Sequence, residues 1–298
     1  AAAQQPLTVA TGPDGGTYVR FFTEITQQCS QPPLQALSAP RGSLQSYEFL
    51  TRNAANIGFM QEDVLFGKKQ IENDPDADNI KTLMVLYPEE IHIITRSPNV
   101  NRFSDLGNKK IGSWGGSMVT AWVLFNEKTT GIRPIEIKDT GNAGTAVQLL
   151  REGKLDAILA VGGQPLDWVQ KNLDNSFKLV PFDRLQQAMT IGYERALLKY
   201  SNLFNGGIAE TITTKSLLVT YNYESASKMR DLASLRNCII EKLPEIRETT
   251  GTHAKWRLVN PKAPSKWEFH PVVKNSVSVP AKKVPAAPAR KTPKLNGD

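Results

Sequence analysis

The sequence is poor in the residues and patterns that carry local chemistry. It has two cysteines and three histidines, the latter scattered at positions 92, 253 and 270. The H-E-x-x-H, C-x-x-C, P-loop and G-x-S-x-G patterns are all missing, which removes the commonest signatures of zinc, dithiol, nucleotide and serine-hydrolase chemistry. The glycines of GPDGG have the wrong spacing for a dinucleotide fingerprint. No apolar run approaches the roughly 20 residues that a membrane-spanning helix needs. Concentrated charge is missing from the body as well. Of the formal net charge of +7, Lys282, Lys283, Arg290, Lys291 and Lys294 against Asp298 supply four, leaving three. Without a basic face interleaved with aromatics, nucleic acid is not an expected partner. Together these absences favour binding without turnover: no catalytic residue, metal or cofactor is expected.

What is present suffices for real cores. The 298 residues, 40% hydrophobic and 22% charged, fit one large or two medium domains, and two lobes are expected. Ala1-Ala2-Ala3-Gln4-Gln5 has no initiator Met and resembles what signal-peptide cleavage leaves behind, although a cloning scar would look similar. An exported protein is the expectation. Its even cysteine count permits one bridge, Cys29 to Cys238, or two buried free thiols. A bridge closing roughly two hundred residues would stabilise by about 4 to 5 kcal/mol on the chain-entropy account, and it requires the last long helix to return to the first lobe.

Leu7 to Cys29 reads as strand, glycine loop, helix. Leu7, Val9 and Thr11 suit a strand, Gly12, Pro13, Asp14, Gly15 and Gly16 permit a tight turn, and a helix starts near Thr17. The first amides of a helix lack intrahelical partners and sit at its positive end, so the loop suits a carboxylate or other anion. A plain strand-to-helix connection would read the same way. The pattern recurs, however. Leu34 to Ala39 reads as a strand ending at Arg41-Gly42-Ser43, with Ser43 as N-cap of the next helix. Asn56 to Met60 is an apolar strand leading into Gln61-Glu62-Asp63. Lys81 to Arg96 is a long extended segment, as of a strand passing from one lobe to another, with His92 on its face.

A second α/β unit follows, with Lys109 to Trp114 as strand, Gly115-Gly116-Ser117 as glycine loop, and a helix running to Gly131. LDAILAV is then a buried strand ending at Gly162-Gly163-Gln164-Pro165. Thr211 to Thr220 reads as a return strand, and Glu224 to Glu248 as a helix with one apolar stripe. Beyond Pro280 the Pro, Ala and Lys composition predicts disorder.

The motifs GPDGGTYVRFFTEI, APRGSLQSYEFL, IGFMQEDV, LYPEEIHIITR, FSDLGNKKIGSWGGSMVTAWVL and AVQLLREGKLDAILAVGGQP together resemble the TAXI family of solute-binding proteins, over roughly Leu7 to Thr220. The resemblance implies an α/β, type II periplasmic-binding-protein fold: two α/β lobes with crossover strands. It places lobe I at 1–95 and 206–275, lobe II at 96–205 and a basic tail at 276–298. It further implies a periplasmic monomer that captures a small carboxylate or amino acid between its lobes for a TRAP-type membrane transporter. The matching ligand loops are Gly15, Gly16, Thr17 and Tyr18; Gly42 and Ser43; Gln61 and Asp63; Trp114, Gly116 and Ser117; and Gly162, Gly163 and Pro165. Three departures stand out. The second-lobe loop reads Gly115-Gly116-Ser117-Met118 where the family has Gly-Ser-Gly-Thr. Pro13-Asp14 replaces small residues, so that Asp14 caps local amides or faces a ligand ammonium. YSNLFNGG stands where a Pro-x-Gly-Thr-Tyr loop is common. Two other readings fit the same scaffold: a cell-envelope interaction or sensor protein whose tail binds anionic polymers, and an enzyme acting through Asp63 or Gln61.

Overall fold

The computed structural model describes residues 4–274, so the tail set apart at 276–298 lies outside the described residues. The chain forms two compact units. Of the described residues, the first takes those up to Leu65, Asp74–Tyr87 and those from Lys215 onward; the second takes Phe66–Asn73 and Pro88–Thr214.

In the first unit the order is β1 (Leu7–Ala10), α1 (Thr17–Gln28), β2 (Leu34–Leu37), α2 (Ser43–Thr51), β3 (Ile57–Gln61) and α3 (Glu62–Phe66). A single π-helical turn, Gly67–Ile71, follows α3 and belongs to the second unit. The 16-residue β4 (Ile80–Thr95) gives its first half to the first unit and its second half to the other. β1 lies parallel to both β2 and β3, with Ala10 opposite Leu37 and Gly58. All three strands therefore deliver their carboxyl ends, and the loops that follow, to one edge of the sheet, the edge at which open α/β sheets take ligands.

The second unit continues with β5 (Lys110–Ser113), α4 (Gly116–Leu124), β6 (Glu136–Asp139), α5 (Ala143–Arg151) and β7 (Ala157–Gly162). After these come α6 (Asp167–Asn172), β8 (Lys178–Leu179), α7 (Leu185–Thr190) and β9 (Glu194–Lys199). β5 runs parallel to β6 and β7, while β7 and β8 lie antiparallel to the second half of β4. The loops after β5 and β7 thus leave the same sheet edge. β10 (Ile208–Tyr221) pairs antiparallel with β9 in this unit and with β3 in the first, setting Ser216 opposite Gln61.

The last helix, α8 (Ala226–Glu248), lies in the first unit and buries Leu232, Leu235, Ile239, Leu243 and Ile246. This stripe meets Phe21 and Ile25 of α1 in one apolar cluster, and Cys29 at the end of α1 is disulfide-bonded to Cys238 of α8. No helix among the described residues is long and apolar enough to cross a membrane.

The chain beyond α8 is fastened by polar groups. Glu24 of α1, buried, accepts hydrogen bonds from the His253 amide at 2.9 Å and from Trp256 Nε1 at 2.6 Å. Arg236 donates to the carbonyls of Leu83 and Pro261, and Arg247 to those of Trp256 and Val259. Glu62, also buried, accepts from the Lys266 amide at 3.3 Å, with the Lys266 ammonium 3.9 Å away.

Burial raises the Glu62 carboxyl above its ordinary pKa, with Lys266 only partly opposing the shift. A carboxyl bound more tightly to its proton when folded gives its full contribution to stability below the unfolded pKa, and that contribution is lost as pH rises through the folded value. Glu62→Gln removes this loss. The stability of the wild type relative to Glu62→Gln is therefore expected to fall as pH is raised from about 4.5, as read from urea midpoints at a series of pH values. A difference independent of pH would contradict it.

Two sequence expectations need correction here. Ser43 is the first helical residue of α2 and Gly42 is its N-cap, so Ser43 does not cap that helix. The helix expected to reach Gly131 stops at Leu124. The Phe125 amide closes on Ala121, and the Asn126 carbonyl gathers the amides of Thr129, Thr130 and Gly131. Gly131, at φ +75°, serves this turn instead of ending the helix.

Candidate functional site

Three helices that start at the strand ends are capped by glycine. α1 has Gly16, α2 has Gly42 and α4 has Gly115 as N-cap, none with a side-chain cap, and none has an acidic residue in its first turn. Two of the other α-helix starts are capped by side chains, whereas α6 and α7, which begin after Leu166 and Arg184, have no side-chain cap either. Asn142 caps α5 through the Thr145 amide, and Ser225 caps α8 through the Lys228 amide. Glycine is required by conformation at two of the three. Gly42 (φ 58°, ψ −131°) and Gly115 (φ 54°, ψ −139°) lie in a region that a side chain makes strained. The consequence is electrostatic. First-turn amides at the positive helix end meet no carboxylate or hydroxyl of their own cap, an arrangement suited to anions.

Two serines complete the pattern. Ser43 is 1% exposed, and its Oγ accepts a hydrogen bond from the Gln61 amide at 2.9 Å. In the second unit Ser117 is 6% exposed, and its Oγ accepts from the Val161 amide at 3.0 Å. Each helix start is thereby tied to the neighbouring strand end of its own unit. A hydroxyl that spends a lone pair on an amide keeps its proton to donate, so both serines add an oriented donor.

The remaining positions singled out from the sequence fall as follows. Gly15 adopts φ +78° in the turn before α1, and that turn is closed by the Gly16 amide donating to Pro13 at 3.1 Å. Asp14 is exposed and closes no part of it. Thr17 is buried in the first turn, while the Tyr18 ring stacks on Phe59 at 5.4 Å in the core of the first unit. Gln61 Nε2 donates to Asp63 Oδ1 at 3.0 Å, both side chains being buried. Gly116 opens α4, and Trp114 packs edge-to-face on Trp168 at 5.5 Å.

The loop carrying Gly162 and Gly163 is held by Glu90, Gln164 and Tyr200, none of which was singled out as a site residue from the sequence. The Gln164 amide donates to the buried Glu90 carboxylate at 2.8 Å, and the Gln164 side chain both donates to Leu197 O and accepts from Lys199 N, behaving as an extra strand beside β9. The Leu166 amide donates to the Tyr200 hydroxyl, which lies 2.7 Å from His92 Nε2. His92 Nδ1 lies 2.9 Å from the Glu90 carbonyl, which can only accept, so Nδ1 carries the hydrogen and Nε2 receives that of Tyr200. Burial drives the Tyr200 pKa upward. His92 is therefore structural. Among the described residues no group of three or more His, Cys, Asp and Glu could hold a metal ion.

Residues 9–257 match the family model described as the NMT1-like family. Among solved structures, Tv2483 bound to L-arginine is similar at 12% identity and a TM-score of 0.53, over 87% of this chain and 93% of that one. The Candida albicans CA3427 gene product, described as exhibiting the generic periplasmic binding protein structural fold, is similar at 15% identity and 0.52, over 85% and 79%. The GluR0 ligand-binding core from Nostoc punctiforme, in complex with L-glutamate, is similar at 14% identity and 0.50, over 82% and 98%. At such identities the likeness establishes the architecture alone: a mixed α/β fold of the periplasmic-binding-protein kind, type II-like.

Proposed function

The chain belongs to the NMT1-like family, and from that premise we propose that it is an extracytoplasmic solute-binding protein that captures a small carboxylate or amino acid with the strand-end loops of its two units, without turning it over. The observation that carries this reading is the repetition, in separate units, of a glycine-capped helix start beside a serine whose hydroxyl proton is left to donate. Gly15, Gly16, Thr17 and Ser43 would serve the solute from the first unit, and Gly116, Ser117 and Gly163 from the second. The pair Gln61 and Asp63 supplies acceptor oxygens, which suits the ammonium of an amino acid. That two similar structures hold L-arginine and L-glutamate agrees with this class. Delivery to a TRAP-type transporter in the periplasm, as the TAXI resemblance implies, completes the proposal.

The test is a thermal-shift panel of the common L-amino acids and small mono- and dicarboxylates. At a hundredfold excess over Kd the bound solute is expected to stabilise by about 2.7 kcal/mol. Ser43→Ala and Ser117→Ala should each weaken binding of that solute about tenfold, the worth of one charge-assisted hydrogen bond. If no panel member shifts the melting temperature, or if both variants bind as the wild type does, the reading fails.

A further inference from the structure

The chain has five tryptophans, and those that are buried do not treat their indole N–H alike. Trp256, 0% exposed, gives its N–H to Glu24, and Trp267, 5% exposed, gives its N–H to the Ile80 carbonyl at 2.7 Å. This is the usual behaviour, since a buried indole N–H without an acceptor is costly. Trp114 and Trp168, at 8% and 9% exposure, depart from it. Neither N–H has a hydrogen-bond partner among the described residues, and both nitrogens keep some contact with solvent.

Their places are not arbitrary. Trp114 immediately precedes Gly115, the N-cap of the nine-residue α4, and Trp168 lies at the start of α6, just after the Gly162-Gly163-Gln164-Pro165 loop. Because β5 and β7 are parallel neighbours, both residues follow strands that end at the same sheet edge of the second unit. The rings meet at 69°. The segment leading into α6 is anchored by the Gln164 clamp on β9 and by Leu166 on Tyr200, so the pair is presented on a fixed backbone.

We propose that Trp114 and Trp168 are specificity-determining residues of the solute site: they accept a planar apolar body beside the donors of α4, and the solute is an aromatic carboxylate, whether an aromatic α-amino acid or an aryl acid. The inference rests on the solute-binding reading above and narrows it. The glycine-capped helix start and the Ser117 hydroxyl receive the carboxylate, while the tryptophan pair offers ring contact and one N–H to an acceptor on the solute. Most of both rings is packed in the apolar core of the second unit, with Val147, Leu150 and Ile158 among its members, so it is their solvent-reaching edges and N–H groups that a small hydrophilic solute such as glutamate would leave unused.

Isothermal titration of the full chain with L-phenylalanine, phenylacetate, L-glutamate and L-arginine tests this. One or both aromatic acids should bind at least tenfold more tightly than L-glutamate and L-arginine. L-phenylalanine and phenylacetate separate the amino-acid source from the aryl-acid source. Trp168→Leu should cost the aromatic acid tenfold or more, and Trp168→Phe, which keeps the packing and removes the N–H, threefold or more. Should Trp168→Leu fail to fold, Trp168→Phe decides. Binding of L-glutamate or L-arginine as tight as that of the aromatic acids, aromatic binding indifferent to Trp168→Phe, or no binding of either aromatic acid overturns the inference. The first of these leaves the solute-binding reading intact, and the wider thermal-shift panel judges that reading separately.

Discussion

Replacing both Cys29 and Cys238 with alanine is expected to lower the stability of the first unit by about 4 to 5 kcal/mol. The bridge spans a sequence separation of 209 residues and joins the end of α1 to the middle of α8. Its effect falls mainly on the unfolded chain, which without the bridge gains the freedom of a very long open loop. If the second unit stays folded while the first opens, it shortens the effective loop. The logarithmic dependence on length makes this a loss of only about 1 kcal/mol from the total. The folded packing of α1 on α8 does not depend on the bond, because Phe21, Ile25, Leu235 and Ile239 meet in the same apolar cluster. The double variant should therefore fold with unchanged secondary structure and unfold at a lower urea midpoint. Its steeper denaturant dependence would reflect the larger surface exposed by an unbridged chain. A stability change under about 1 kcal/mol would contradict the chain-entropy account.

Trp256→Ala is expected to cost about 3 to 5 kcal/mol, the range for truncating a large aromatic in a core. The indole is fully buried, stacks on Phe21 with centroids 4.0 Å apart, and donates to Glu24. Truncation leaves a cavity against α1 and removes one of the bonds that hold a buried carboxylate whose pKa burial already raises. The two losses can be separated. Trp256→Phe keeps most of the ring contact and loses only the N–H, so it should cost about 1 to 3 kcal/mol. Adding Glu24→Gln should then recover part of that cost, because the group left without its donor is no longer ionised. Equal costs for Trp256→Phe and Trp256→Ala, measured by urea unfolding, would mean that the hydrogen bond alone matters.

Both predictions concern parts of the molecule that differ in how far the sequence revealed them. The opening strand, glycine loop and helix were legible because β-branched and apolar alternation, then clustered glycines, then a 3.6-residue apolar period follow one another without ambiguity. α1 begins at the expected Thr17. β4 was legible for its length, and the apolar stripe of α8 for its spacing. The small elements α6, α7 and β9 were not, being six residues each and too short to display a period.

Long-range pairing was equally hidden. Nothing in the local sequence around Glu24 points to Trp256, which is brought to it from 232 positions away. Ser43 reads as an N-cap from local rules alone, because the Gln61 amide that claims its hydroxyl lies 18 residues further on. The tail beyond Pro280 is legible in composition only. In the candidate site the glycine positions were visible in the sequence, since positive φ at Gly42 and Gly115 demands that residue. What fixes the loops was not: Glu90, Gln164 and Tyr200 come together only through the sheet.

The central claim is that one solute is gripped by backbone amides and serine hydroxyls contributed by both units. Nitrogen-15 NMR of the chain, titrated with the panel compound that raises the melting temperature most, tests it directly. The account predicts that the amides of Gly16, Thr17 and Ser43 in the first unit and of Gly116, Ser117 and Gly163 in the second shift together, with one Kd, and saturate at one equivalent. Shifts confined to a single unit, or two sets of shifts with different affinities, would contradict it.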